Sequence, residues 1–338
     1  MSGLRGAAAP LGAALMALAL SVGLLGALGA DPGQALAALV RGALGDRLAL
    51  ESTLLRMGPL VLIGLGVALS FRCGVWNIGG EGQLYAGALG ATALATRILP
   101  DAPAPVLIPL VLAAGAAGGM LWGGLAAALR IGRGVSEVLS TILLNFVAVL
   151  LVAYAVQGPL QELSAAYPQS DPLPPAARIP ALPGLSRLHW GLPLALLLGV
   201  GLWLALFYSA AGLRLRAVGL SPDAARYAGI SPERETLRVL LLSGGLAGLA
   251  GAIEVSGVAG RLFENLSSGY GFSAIAVALL ARLHPLAVLP SAAFFAALAT
   301  GSGAMQRVAG VPAVTVQVIE GLVILFSVGF ALGRRRSP

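Results

Sequence analysis

The chain contains no lysine, a single cysteine (Cys73) and only two histidines (His189 and His284). One cysteine excludes an intramolecular disulfide framework and a cysteine-rich metal site. Two histidines leave almost nothing for a His-based catalytic cluster. Without lysine no G-x-x-x-x-G-K phosphate loop can be written, so any ATP hydrolysis belongs to another chain. Charge is scarce too: only 10% of the 338 residues are charged, against roughly a quarter in a soluble domain. A water-facing surface cannot be built from that composition. What fills the sequence is apolar (58%), with 47 glycines and 21 prolines set among Leu, Ala and Val. The 21 basic residues, all arginine, are dispersed among apolar blocks rather than massed in one patch, which argues against nucleic acid as a partner. This is the composition of an all-α, polytopic integral membrane protein.

A helix needs about 20 apolar residues to cross the hydrocarbon of a bilayer. Charge-free runs and their flanks predict ten segments, near 7–29, 58–71, 84–99, 105–129, 136–157, 191–210, 237–258, 270–284, 286–305 and 311–333. The first could instead be a cleaved signal peptide, but its apolar stretch exceeds the 7–15 residues of such a leader. Arginine bias sets the sides. Ten crossings with the N-terminus inside place thirteen arginines on the inner face, clustered at segment ends, and eight outside. Both termini are therefore expected in the cytoplasm. The chain reads as one transmembrane domain, 1–338, with a proline-rich and extended outer loop at 158–190 and a polar, arginine-rich inner loop at 211–236.

The most unusual stretch runs from Phe71 to Gln83, where Gly74, Gly79, Gly80 and Gly82 break a membrane segment. Broken backbone at membrane depth is tolerated only where protein buries it or where it lines a wet cavity. Asn77, Glu81 and Gln83 add side chains able to hydrogen-bond a polar solute, and a membrane carboxylate usually marks a pathway or a pair. The bland alternative is a cytoplasmic turn on which Glu81 pairs with Arg72. A weak echo of this break lies at Gly269–Pro285, and paired interruptions in two halves often flank a transporter's substrate path. Asn145 and Glu320 fall mid-segment, and Tyr270 and Glu264 near an outer mouth. For Asn145 an interhelical hydrogen bond is the better expectation; for Glu320 a path and a structural pair are even. Gly244, Gly245, Gly248 and Gly251 read as a close helix-packing face.

The inner loop is patterned. Ser221-Pro222-Asp223 is an N-cap, a proline at the first helical position and an acid in the first turn. Gly229 closes that helix, and Ser231-Pro232-Glu233 repeats the start signal. An isolated helix at 222–228 follows, with Ala224, Ala225 and Ala228 as a small-residue surface. A helix this short is not stable alone and is expected to dock on something.

The pattern F-R-x-G-x-x-N-I-G-x-E-G-Q, read from Phe71 to Gln83, resembles the larger permease subunit of bacterial nucleoside ABC importers, partners of basic-membrane-protein-type lipoproteins within the ribose-type permease family. The resemblance continues at Ser136–Asn145, at Arg216-Ala217-Val218-Gly219, and from Gly269 to Leu280, where Ala274 stands for the family's usual glycine. Asp223-Ala224-Ala225 with Gly229 resembles the importer loop E-A-A-x-x-x-G that seats in the ATPase. What the resemblance implies is a ribose-type ABC permease fold that moves nucleosides across the inner membrane by alternating access. It has no catalytic residue, metal or cofactor of its own, ATP and magnesium being bound by an ATPase subunit. A second homologous permease, a periplasmic or lipid-anchored solute-binding protein and membrane lipid complete the implied partners. Asn77, Glu81, Gln83, Asn145, Tyr270 and Glu320 are the expected path residues; Ser221, Asp223, Ala224, Ala225 and Gly229 the expected ATPase contact. A simple-sugar permease is the alternative. An intramembrane enzyme is less favoured, because neither histidine has a nucleophile motif beside it.

Overall fold

The computed structural model describes residues 29–312 and isolated positions on either side (20, 22, 23, 26, 314, 315, 318, 321 and 322). The expected segments at 7–29 and 311–333, Glu320 included, lie almost wholly outside the described residues. Within them the chain is helical, with three isolated β-bridges, Gln161–Ser170, Gln169–Phe263 and Ala181–His189. The helices are α1 (Pro32–Leu44), α2 (Arg47–Arg72), α3 (Gly80–Ala93, continued by a π turn to Ile98), α4 (Ala104–Arg133) and α5 (Glu137–Gln157). There follow α6 (Gly191–Tyr208), α7 (Ala210–Leu220), α8 (Pro222–Tyr227), α9 (Pro232–Ile253, continued by a π turn to Ala259), α10 (Tyr270–Leu280) and α11 (Pro285–Ala309).

Six of these, α2, α4, α5, α6, α9 and α11, are long and apolar enough to cross a membrane. α3 and α10, at 14 and 11 residues, fall short of the ~20 a full span needs. Eight of the ten expected segments thus coincide with helices, two of them half-length. Three details differ from expectation. α1 occupies residues assigned to an outer loop, started by Asp31, whose side chain accepts from the Gly33 and Gln34 N–H groups, and by Pro32. α2 starts at Arg47 instead of near 58, its first turn carrying the Arg47–Glu51 pair (3.0 Å). α7 takes up the first half of the inner loop. Each was hidden by arginines: a scan for charge-free runs stops where a guanidinium stands, although its aliphatic stem lies comfortably along an apolar surface.

The chain divides into two compact units, residues 1–57 with 293–338, and residues 58–292. In the first, α1 packs on the end of α11 through glycine. A Cβ on Gly42 would strike that of Ala304, and one on Gly301 the carbonyl of Leu39. Ala35, Leu39, Leu298, Met305 and Val311 fill the space between.

In the second unit α3, α4 and α9 make the most extensive helix contacts. Gly87 and Gly119 meet the backbone of Gly248, Gly119 also meets the Gly244 carbonyl, and Gly251 meets that of Leu84, each too closely for a side chain. Gly245 instead faces the Met120 side chain. Lipid tails are as apolar as leucine, so helices in a membrane gain little from hiding leucine from them. Bare backbones that approach closely gain dispersion contact instead.

The loops gather at the two ends of this unit. At one end Arg97 reaches Asp171 (3.3 Å) and Arg261 reaches Glu162 (3.3 Å), which ties residues 158–190 to the end of the π turn after α3 and to residue 261. His189 is buried there, its Nδ1 accepting from the Gly191 N–H (3.0 Å), and burial holds its pKa down at about 4. At the other end lie α8, the α4–α5 turn and the end of α2.

Gly248→Leu is expected to cost about 3 kcal/mol or more, because rigid backbone, not a movable side chain, occupies the space. Gly201, on α6, has no atom within 4 Å of an added Cβ. Gly201→Leu is therefore expected to purify as a monodisperse protein, whereas Gly248→Leu elutes as aggregate in size-exclusion chromatography.

Candidate functional site

At Arg72 α2 ends, Gly74 turns the chain at φ +77°, and residues 75–79 run non-helically to the start of α3. Their freed backbone groups find side-chain partners one by one. The Trp76 N–H donates to Glu137 Oε1 (3.3 Å) and the Ile78 N–H to Thr141 Oγ1 (3.3 Å). Asn145 bridges the break: its Nδ2 donates to the Ile78 carbonyl (2.9 Å) while its Oδ1 accepts from the Gly82 N–H (2.8 Å). Glu137, Thr141 and Asn145 are spaced by four along α5, so one stripe of that helix serves the whole gap.

Asn77 is completely buried. Its Nδ2 donates to Gln83 Oε1 (3.1 Å) and Ser243 Oγ (2.8 Å); its Oδ1 accepts from the Gly79 N–H (2.9 Å) and Gln83 Nε2 (3.1 Å). Every donor and acceptor of the Asn77 amide is thus engaged. The reciprocal pair with Gln83 closes the loop onto the first turn of α3, and Ser243 ties it to α9.

Glu81, also buried, reaches the other broken segment. Its Oε2 accepts from the Gly271 N–H (2.7 Å), and Ser267 and the Gly269 backbone hydrogen-bond to it as well. These groups form the N-terminus of α10, where the helix dipole and unpaired N–H groups favour a carboxylate. The two half-helices meet start to start, since a Cβ on Gly271 would run into the Glu81 backbone. Tyr85 Oη accepts from the Ser267 N–H (3.2 Å), a second link one turn along α3. Tyr270, the first residue of α10, is buried with its N–H on Ser267 Oγ (3.1 Å). The anticipated Arg72–Glu81 pair does not form: Arg72 Nε donates to the Leu283 carbonyl (3.1 Å). The echo between the two breaks is therefore a physical contact. Sequence reading missed Glu137, Thr141, Ser243, Tyr85 and Ser267. The i, i+4, i+8 spacing of polar residues on α5 was the available signal for two of them.

At the loop end, α8 is built as its sequence requires. Ser221 Oγ accepts from the Ala224 N–H (3.3 Å), Pro222 opens the helix, and Gly229 leaves it at φ +78°. Arg226 holds both Asp223 (3.5 Å) and Glu233 (2.7 Å). Ser231 Oγ also donates to the Glu233 carboxylate (2.9 Å). Of the three alanines, Ala225 is buried in a cluster with Leu69, Cys73, Val75, Val239 and Leu240. Ala224 and Ala228 stay exposed with Asp223, and beside them Leu220 and Tyr227 are 88% and 95% exposed. Among the described residues no group of three or more His, Cys, Asp or Glu side chains is placed to hold a metal ion. The arrangement ties helix ends and broken backbone together.

Residues 49–328 match the family described as the permease component of branched-chain amino acid transport systems. The chain is 37% identical over 322 residues to the glucose ABC transporter permease protein TsgB13 of Haloferax volcanii, covering 92% of this chain and 84% of that protein. It is 35% identical to the guanosine ABC transporter permease protein NupP of Bacillus subtilis, covering 88% and 87% of the two chains. With the nucleoside ABC transporter permease protein NupB of Lactococcus lactis subsp. cremoris it shares 32% identity, covering 84% and 80%.

Asn145→Leu strands the Ile78 carbonyl and the Gly82 N–H, each at about 1–3 kcal/mol if left buried and unpaired. Asn145→Asp keeps an acceptor for Gly82 but loses the donor to Ile78. The expected order of folded protein in membranes is wild type, then Asp, then Leu, read by fluorescence-detected chromatography. Equal amounts of all three would show that the break does not depend on this clamp.

Proposed function

The chain belongs to the permease-component family of branched-chain amino acid transport systems, a membrane transport subunit and not an enzyme, and on that premise we propose that its cargo is a nucleoside. An ABC importer permease works with an ATPase and a substrate-binding protein. The finer assignments are ours. A second, homologous permease completes a pseudo-twofold pair in the bacterial inner membrane, with both termini of this chain cytoplasmic. ATP and magnesium reside on the ATPase, and a periplasmic or lipid-anchored receptor delivers solute at the end formed by residues 158–190. Asn77, Glu81, Gln83, Asn145, Tyr270 and Glu320 belong to the path or its gate, and residues 1–338 act as one permease domain.

The observation that carries the importer reading is α8. A two-turn helix cannot hold itself together in water, yet this one is capped at both ends and exposes Asp223, Ala224, Tyr227 and the preceding Leu220. Only Ala225 attaches its body to the apolar cluster. A helix so anchored through one small residue is suited to a groove in the ATPase and to passing its movement inward.

The nucleoside reading rests on the N-I-G-x-E-G-Q resemblance and on the guanosine and nucleoside permeases among its relatives. A sugar is the second reading, favoured by the 37% identity to a glucose permease. Titrating the associated receptor with nucleosides and monosaccharides separates them: purified receptor is expected to bind nucleosides, and binding of monosaccharides alone would replace the first reading by the second.

The coupling role has its own test. Gly229→Val forces a β-branched residue to positive φ, at about 1–3 kcal/mol, and unravels the end of α8. The protein is expected to insert normally but to lose the ATPase on purification, or to hydrolyse ATP without uptake. Full uptake with the ATPase retained would remove this loop as the docking site.

A further inference from the structure

At the loop end that carries α8, the carboxylates are already taken. Glu137 pairs with Arg130, Glu235 with Arg214 and Arg238, and both Asp223 and Glu233 with Arg226. Two half-buried arginines from different helices are left without a carboxylate, and they share one aromatic ring. The guanidinium carbons of Arg72, at the end of α2, and Arg216, on α7, lie 5.2 and 5.1 Å from the centroid of the Phe207 ring on α6. His284 completes the cluster, its ring 5.3 Å from the same phenyl. The bend that presents His284 runs through Arg282 and Leu283 at φ +50° and +59°, and the Arg72 Nε–H holds it through the Leu283 carbonyl (3.1 Å).

Two cations on one ring gain from its quadrupole but repel each other. An anion between them would turn that repulsion into attraction. Guanidinium groups suit phosphate in particular, because their paired N–H groups match its oxygens. The surroundings indicate where the phosphate comes from. The cluster sits where α2 and α6 end, and both are long and apolar enough to cross a membrane, so headgroups would lie near their ends. Its exposed neighbours on the same helices are Tyr208 and Leu213, 73% and 60% exposed. Leu213 held outward beside the half-buried Arg216 puts an apolar contact next to a cationic one, as an acyl chain and its headgroup require.

We propose that Arg72, Arg216 and Phe207 form the headgroup site of an anionic phospholipid, with the acyl chains along Tyr208 and Leu213. The site adjoins the ATPase-facing loop, since Gly219 on α7 lies against the Arg72 carbonyl with no space for a side chain. A bound lipid would therefore brace α7 against the end of α2.

The test uses the full chain purified in neutral detergent. Binding of phosphatidylglycerol, of phosphatidylcholine with the same acyl chains, and of inorganic phosphate is measured by native mass spectrometry. Phosphatidylglycerol is expected to bind at least tenfold more tightly than phosphatidylcholine. Arg216→Gln should weaken that binding roughly fivefold, the value of one basic residue at an anionic surface. Arg216→Lys, which keeps the charge but not the paired N–H groups, should weaken it less than Arg216→Gln does, and Arg133→Gln, the same charge change at an exposed site on α4, should leave it unchanged. Equal binding of the two lipids, or an Arg216→Gln variant that binds phosphatidylglycerol like wild type, overturns the proposal. Inorganic phosphate binding as tightly as phosphatidylglycerol also overturns it, in favour of a soluble-anion site. If Arg216→Gln releases the ATPase while lipid binding is unchanged, the arginines face the partner subunit and the proposal fails.

Discussion

Backbone that leaves a helix inside a membrane has no water to turn to, and the second unit of this protein is organised around that constraint. Between Arg72 and Gly80 the chain gives up its helical hydrogen bonds, and each polar group left buried and unpaired would cost about 1–3 kcal/mol. Asn77, Thr141, Asn145 and Glu137 supply the replacements, and Gln83 and Ser243 hold the Asn77 amide in place, from four segments of chain. The break is thereby fixed in position relative to α3, α5 and α9 together. A plain turn at the membrane surface would need none of these partners.

The glycine contacts make such precision possible. Because α3, α4 and α9 approach backbone to backbone at Gly87, Gly119 and Gly248, side chains as short as serine and asparagine span the remaining gaps. Ser243 reaches Asn77 only because its helix is held this close to the loop. Gly80 and Gly271 do the same where the two half-helices meet, and Glu81 then reaches the first turn of α10. Close packing and polar satisfaction are two sides of one arrangement, since a larger residue at any of these glycines would also pull hydrogen-bond partners apart.

Much of this was legible in the sequence. Charge-free runs located eight segments, the four glycines located the break, and the Ser-Pro-Asp and Gly229 signals located α8 to within a residue. The unread parts share a physical cause. α1, α7 and the start of α2 carry arginines, whose long aliphatic stems a helix in apolar surroundings can accommodate, so a rule that equates charge with loop passes over them. Ala225 reads as surface because alanine is neutral in any pattern; only its neighbours, Cys73 and Val75 before it in the chain and Val239 and Leu240 after it, reveal it as an anchor. The partners of Asn77 and Arg72 lie 166 and 211 residues away, on segments whose approach is set by tertiary packing. No local spacing encodes such a pair. The α5 stripe lay between these cases: its period was visible, but the non-helical strand that it serves has no period to match.

The same contacts give the proposed coupling a short route. Ala225 of α8 packs against Val75, which is two residues before Asn77, and against Val239 and Leu240, a turn before Ser243. A displacement of α8 therefore bears on both sides of the Asn77–Ser243 hydrogen bond at once. Packed interiors do not deform continuously; they move between discrete arrangements. Here the discrete element is the pair of half-helices, held start to start by the Glu81–Gly271 contact. That contact is one hydrogen bond with two supporting donors, far fewer bonds than a continuous helix would hold there. A continuous helix through the same region would have to break many backbone bonds to respond. Interrupting the helix and clasping the two ends concentrates any such change in a few side chains.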